Sequence, residues 1–283
     1  MRTSCDFGGN GIVNALNANI YGNGSQTLVL AHGYGTDQTV WHFLIPYLAC
    51  YFKVLVFDLA FSPNVSPQVY NENKYSSSFD GYAGDLVCLL DQLNMNETIY
   101  LGHSMSAMIG CLAATERPEL FKHLILLSGS PRYLNGKGYE GGFEKSDLNT
   151  IFKSIRQDFP SWVHSFAPIA IGVKNNPEAV AEFEDSLLRM KPEVALSVAK
   201  TVFLSDLRWV LPQVFVPCTI IQSKKDPIVP KNVAFYMKRK LGSNNINGAD
   251  SSNKVKILKT KGHFPQLTAY PLLLKVLNTS FVL

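Results

Sequence analysis

Six short runs of almost unbroken apolar character recur along this chain: TLVLAHG (27–33), FKVLVFD (52–58), TIYLGHS (98–104), HLILLSG (123–129), CTIIQSKKD (218–226) and VKILKTKGH (255–263). Each is rich in Val, Ile or Leu, and none alternates cleanly between apolar and polar. A strand wet on one face alternates; a strand covered on both faces does not. Helical patterns fall between the runs, near 39–50, 79–93, 105–116, 229–241 and 271–279. Strand followed by helix, repeated, predicts an α/β fold with a mostly parallel sheet and helices on both faces. Only 17% of residues are charged, against about 25% in an average chain. More of this chain than usual therefore has to go inside, or to line a dry pocket.

One region interrupts the alternation. Between Pro131 and Pro212 the pattern predicts four helices, near 145–158, 160–172, 177–190 and 192–204, and no strand. Pro160, Pro177 and Pro192 suit the first turns of successive helices, where a missing N–H leaves no bond unmade. The expected organisation is a core of 1–130 and 213–283 with a helical cap, 131–212, inserted in it. The alternative is a helical layer lying flat on the sheet with no pocket beneath. The Gly-, Ser- and Asn-rich stretch GSNNINGADSSN (242–253) reads as a surface loop within the same core.

The totals exclude several function classes. Net charge is +4, and the densest basic run, Met237 to Lys240, sits on a helical pattern with no nucleic-acid-binding motif beside it. It reads as a solvated face. The five cysteines are odd in number, show no CxxC spacing and mostly lie in apolar stretches. They are expected to be reduced core thiols, with no metal site. The first residues lack a long apolar segment, and no run is long enough to span a bilayer. A cytoplasmic and nuclear protein is expected, with no cofactor.

Where the third apolar run ends, the chain reads Gly102-His103-Ser104-Met105-Ser106 and then turns helical. Strand, G-x-S-x-small, helix is the nucleophile elbow of α/β hydrolases. The turn lifts its central serine above the sheet, and the residues two before and two after must be small. The alternative role for Ser104 is an ordinary helix N-cap. Serine needs a base to become a nucleophile, and on this fold the order is Ser, then Asp or Glu, then His. After Ser104 the histidines are His123, His164 and His263. His123 begins a strand and His164 lies in the cap. His263 follows the last strand run beside Gly262, at the carboxyl edge of the sheet, and is the expected base. Asp226 ends a strand run and is the expected acid, with helix capping as its alternative role. Asp206 and Asp250 share its place in the chain order but lie at the cap boundary and in the 242–253 loop. The oxyanion hole needs two N–H donors. Met105 supplies one, and the loop His32-Gly33-Tyr34-Gly35 supplies the other through Tyr34.

LAHGYGTDQTVW, GHSMSAMIG, SPRYLN, GGFE, ALSVAKTVFLSD, VPCTIIQS and GHFPQLT together resemble the plant butenolide-receptor hydrolases, the strigolactone and karrikin receptors and their dwarf-fourteen-like paralogues. The resemblance runs from about residue 12 to the C-terminus. It implies an α/β-hydrolase core with a V-shaped four-helix cap, and its triad falls on Ser104, Asp226 and His263. It also implies a deep aromatic pocket for a small apolar butenolide or ester, with Tyr34, His103, Phe143, Trp162, Phe166, Phe203 and Phe264 as lining. Slow hydrolysis and recruitment of an F-box protein and a repressor through the cap belong to the same implication. A monomer is expected, because the sequence carries no strong association motif. Met105 and Phe264 bring the chain closest to the second dwarf-fourteen-like paralogue, since the receptors carry Val and Leu there. Tyr34 stands where Phe is usual, segment 58–75 departs from the receptors' pattern, and loop 242–253 is longer.

Overall fold

The computed structural model describes residues 11–172, 176–244 and 252–281. Among them, seven strands form one sheet in the order β1-β3-β2-β4-β5-β6-β7. The strands are β1 (Asn19–Tyr21), β2 (Thr27–Ala31), β3 (Lys53–Phe57), β4 (Thr98–His103), β5 (Phe121–Leu127), β6 (Cys218–Lys225) and β7 (Lys254–Lys261). All neighbours pair in parallel except β1, which runs antiparallel to β3. Every residue of β2 and β4 is buried, which is why those runs carry no polar alternation. The six apolar runs thus become β2 to β7. The short exposed β1 left no apolar signature.

The helices are α1 (Gly11–Ala15), α2 (Ile45–Leu48), α3 (Glu72–Tyr75), α4 (Asp80–Gln92), α5 (Met105–Glu116), α6 (Lys145–Gln157), α7 (Phe159–Ile171), α8 (Pro177–Leu188), α9 (Pro192–Leu204), α10 (Lys231–Lys240), α11 (Pro265–Thr268) and α12 (Tyr270–Phe281). The helix expected over 39–50 is instead a single 3₁₀ turn, Gln38–Trp41, followed by α2. Pro46 explains the break: with no N–H to donate, it opens a new helix rather than continuing one. Helices α6 to α9 lie between β5 and β6, and Pro160, Pro177 and Pro192 stand in the first turns of α7, α8 and α9.

Several bonds tie these four helices to the sheet's loops. Arg189 at the end of α8 pairs with the buried Asp37 at 2.5 Å. Thr201 Oγ1 of α9 donates to the Ser76 carbonyl (2.7 Å), and the Tyr70 hydroxyl donates to Ser197 Oγ (3.0 Å). At the far end of the insertion, Arg132 pairs with Asp206.

One expectation is corrected, and another lies largely outside the described residues. Cys88 is disulfide-bonded, whereas Cys50 and Cys111 are free thiols. A lone cysteine in an apolar stretch carries no sequence mark of oxidation, so reading the cysteines as reduced thiols fails at Cys88. Of the loop 242–253, residues 245–251, including Asp250, lie outside the described residues, as does Cys5. No helix among the described residues is long and apolar enough to cross a membrane.

Candidate active site

Topology decides where chemistry can gather. From β2 the chain steps first to β3 on one side and later to β4 on the other, so the loops leaving β2 and β4 diverge and open a crevice at the strands' carboxyl ends. Ser104 follows β4 and Tyr34 lies in the loop that follows β2. The two strands are neighbours, with Ala31 opposite Gly102. The β2 loop presses on the corner: a Cβ built on Gly33 would lie 3.0 Å from Ser104 Cβ.

The corner is strained in the way its residue sizes predict. Ser104 has φ 57° and ψ −120°, a conformation that L-residues rarely adopt. A Cβ on Gly102 would stand 2.4 Å from the Ser106 carbonyl oxygen, so nothing larger than glycine fits there. Ser106 does more than stay small. Its hydroxyl donates to the His32 carbonyl, and its own carbonyl accepts from the Tyr100 hydroxyl at 2.9 Å. The Ser104 side chain makes no helix-capping bond.

Its hydroxyl lies 2.9 Å from His263 Nε2 instead, and His263 Nδ1 lies 2.9 Å from Asp226 Oδ2. A carboxylate only accepts, so Nδ1 carries the hydrogen and Nε2 is left to accept the serine proton. Adjacent strands bring the acid and the base together. Asp226 follows β6 and His263 follows β7, and the Gly262 N–H donates to the Lys225 carbonyl (2.9 Å). The Asp226 carboxylate also accepts from the N–H groups of Ile228 (2.8 Å) and Val229 (3.1 Å), pinning the turn. It does not cap α10, whose N-cap is Pro230. The His263 N–H donates to the Ala170 carbonyl of α7 at 2.8 Å, so the insertion holds the histidine loop directly. The other histidines stand elsewhere: His123 Nε2 meets Thr219 Oγ1 (2.9 Å) and His164 faces Glu184 on the insertion. Asp206 is engaged by Arg132 and Arg208.

Above Ser104 is a cavity of about 20 Å³, lined by Tyr34, Ser104, Tyr133, Phe166, Phe183, Val202, Phe203, Ile228, His263 and Phe264. It has room for about one water molecule. Of the residues expected to line it, Tyr34, Phe166, Phe203 and Phe264 do so. His103 does not: it is fully buried, its Nε2–H donates to the His263 carbonyl (2.8 Å), and burial beside His263 holds it well below the ordinary imidazole range. Phe143 packs behind Phe203 at 5.4 Å, and Trp162 stacks on Phe166 at 4.9 Å. The Tyr34 hydroxyl donates to the Ala195 carbonyl of α9 at 3.0 Å.

Residue reading missed Tyr133 and Phe183. The Tyr133 hydroxyl lies 3.4 Å from Ser104 Oγ and stays neutral, since burial drives its pKa far up. Its place just past β5, at the same sheet edge, was a usable signal. Phe183 lines the cavity and packs 4.4 Å from Phe264. On α8 it is one apolar residue among several, and helical spacing does not distinguish it. A larger groove of about 340 Å³, between Phe61, Pro63 and Tyr70 on one side and Met190 and Val194 on the other, contains none of the three hydrogen-bonded residues. Among the described residues no group of three or more His, Cys, Asp or Glu is placed to hold a metal ion.

The alpha/beta hydrolase fold family matches residues 26–196. The chain is 43% identical over 263 residues to a karrikin insensitive 2 receptor of Petunia hybrida, spanning 93% of this chain and 94% of that protein. It is 43% identical over 258 residues to a strigolactone esterase of Arabidopsis thaliana, spanning 91% and 93%. Among solved structures it resembles a hydrolase from Oleispira antarctica, with a TM-score of 0.89, 30% identity and 95% of each chain covered.

Proposed function

The chain belongs to the alpha/beta hydrolase family, in the branch of the strigolactone esterases and karrikin receptors, and from that premise we propose that it is a serine esterase acting on a butenolide or related lactone or ester. The hydrogen-bonded line from Ser104 through His263 to Asp226 carries the reading. His263 Nε2 takes the Ser104 proton as Oγ attacks the ligand carbonyl. Asp226 holds the imidazole in the right tautomer and balances the imidazolium that forms. The N–H groups of Met105, at the head of α5, and of Tyr34 receive the oxyanion. The imidazolium returns its proton to the leaving alcohol. Water, deprotonated by His263, then releases the acid from Ser104 and restores the serine proton. Tyr133, a neutral hydroxyl beside Oγ, orients the ligand.

In this reading α6 to α9 act as the cap of a core formed by 1–130 and 213–283. The ligand enters by displacing that cap, because about 20 Å³ holds no butenolide ring. The same movement exposes a surface for an F-box protein and its repressor target, in a monomer working in cytoplasm and nucleus. A second reading, a general esterase of small esters with no signalling role, is favoured by the small cavity.

One experiment separates them. Wild type and Ser104→Ala are incubated with a racemic butenolide and with a simple aryl ester, and products and intact mass are followed. The expected result is slow butenolide turnover with an adduct on the triad, both lost in Ser104→Ala, where turnover falls by roughly six orders of magnitude. Rapid cleavage of the aryl ester alone moves the function to a general esterase. Equal activity in the mutant removes Ser104 from the chemistry.

A further inference from the structure

Asp226 presents a problem that the three catalytic side chains do not solve. Its side chain is fully buried, and its only charged neighbour within ion-pair distance among the described residues is His263. A buried carboxylate is tolerated only where donors replace the water it has lost. Ile228 and Val229 satisfy Oδ1 through their N–H groups. On Oδ2, His263 Nδ1–H is one donor at 2.9 Å, and the second is the side-chain amide of Gln222, also at 2.9 Å. Four donors thus fill the four lone-pair directions of the carboxylate.

Gln222 is placed for this and for nothing else visible. It lies on β6, four residues before Asp226, and is fully buried. Its Nε2 has a second acceptor, the Val229 carbonyl at 3.0 Å, so both amide hydrogens are used on the Asp226 turn. Because both neighbours are acceptors, the NH₂ group must face them. A flipped amide would set an oxygen against a carboxylate and a carbonyl. Its own Oε1 has no hydrogen-bond partner among the described residues. A buried amide that leaves its oxygen unsatisfied while spending both hydrogens on one turn has a local task.

We infer that Gln222 is a positioning residue for hydrolysis: it directs Asp226 Oδ2 at His263 Nδ1 and locks the turn that carries the acid. It touches neither ligand nor nucleophile and acts only through Asp226. The inference rests on the reading of Ser104, His263 and Asp226 as the hydrolytic relay. Without the amide, Oδ2 loses a donor and the carboxylate gains freedom to rotate, so His263 is less well held as it takes the serine proton. Substrate binding is unaffected, because the cavity does not include Gln222.

The test uses the full chain, an aryl acetate and a fluorophosphonate. Gln222→Met keeps the length and removes the donor. It is expected to lower kcat and the fluorophosphonate labelling rate by about 10- to 100-fold, as loss of a hydrogen bond to a charged group does, with KM within about twofold of wild type. Gln222→Asn keeps an amide but withdraws it by one methylene; it should show the same loss, and it serves if the methionine variant does not fold. The deciding measurement is a double-mutant cycle with Asp226→Asn, read by labelling rate. If Gln222 acts through Asp226, adding Gln222→Met to Asp226→Asn changes the rate by less than about twofold. A full further loss in the double mutant, a rise in KM alone, or an unchanged kcat overturns the inference. Ser104→Ala runs beside every assay. If it labels and turns over like wild type, the relay itself is wrong; if it is dead while Gln222→Met is normal, only the role of Gln222 falls.

Discussion

Gly262→Ala tests whether the insertion positions the histidine. Gly262 has φ +88°, and a Cβ built on it would lie 1.9 Å from the Ile171 carbonyl oxygen at the end of α7. That oxygen is backbone and cannot rotate away, so the His263 loop and α7 must separate by about 1 Å before any carbon fits. The left-handed conformation costs an alanine about 1–2 kcal/mol. Weakening the bond from the His263 N–H to the Ala170 carbonyl, now 2.8 Å, costs about 1 kcal/mol more. Stability should therefore fall by roughly 2–3 kcal/mol, or about 3–5 °C in Tm. Turnover should fall further than stability implies, because a misplacement of about 1 Å in a reacting group costs on the order of 100-fold. Gly138→Ala is the control: φ there is +71°, but a Cβ would meet nothing within 4 Å. Both variants are compared by aryl-ester kcat, fluorophosphonate labelling and thermal unfolding. Gly138→Ala should lose a little stability and no activity. Should Gly262→Ala match it in both, the contact between α7 and the His263 loop does not hold the base in place.

Two further outcomes follow from the same geometry. Phe183→Ala removes a ring that lines the cavity over Ser104, so kcat/KM for butyrate and larger esters should rise relative to acetate, at about 3–5 kcal/mol of stability; an unchanged ratio would mean that Phe183 does not limit the acyl group. Burial, reinforced by Lys254, pushes the His123 imidazole down from 6.5 to about 4. Between those values the unfolded chain binds a proton that the folded chain refuses, so stability decreases as pH falls from about 6.5 to about 4 and levels off below. Urea unfolding at several pH values should show that slope in wild type and a shallower one in His123→Gln; equal slopes would assign the acid sensitivity to other groups.

Much of the site was legible before any coordinates because chain order and strand ends restrict it. Ser104 needed only a strand, a small-residue corner and a helix. His263 and Asp226 needed only to follow later strands at the same edge. The competing Asp206 is set apart by a partner far off in sequence: it is taken by Arg132, 74 residues away. The pocket was much less legible. Apolar spacing marks the buried face of α7 and α8 but does not say whether that face meets the core or a cavity. Trp162 and Phe143 therefore stand one layer back, and Phe183 was overlooked.

Periodicity, glycine placement and the order of Ser104, Asp226 and His263 are local properties, and they determined the α/β layering, the four helices between β5 and β6 and the three residues proposed for the chemistry. What only the tertiary structure decided is what happens between segments with no sequence relation. The Tyr34 hydroxyl closes onto Ala195, 161 residues later, rather than facing a ligand. Gln222 turns both its amide hydrogens onto the Asp226 turn, and the His263 loop hangs from the last turn of α7. Each of these depends on where two surfaces meet, and a one-dimensional pattern of side-chain types does not contain that distance.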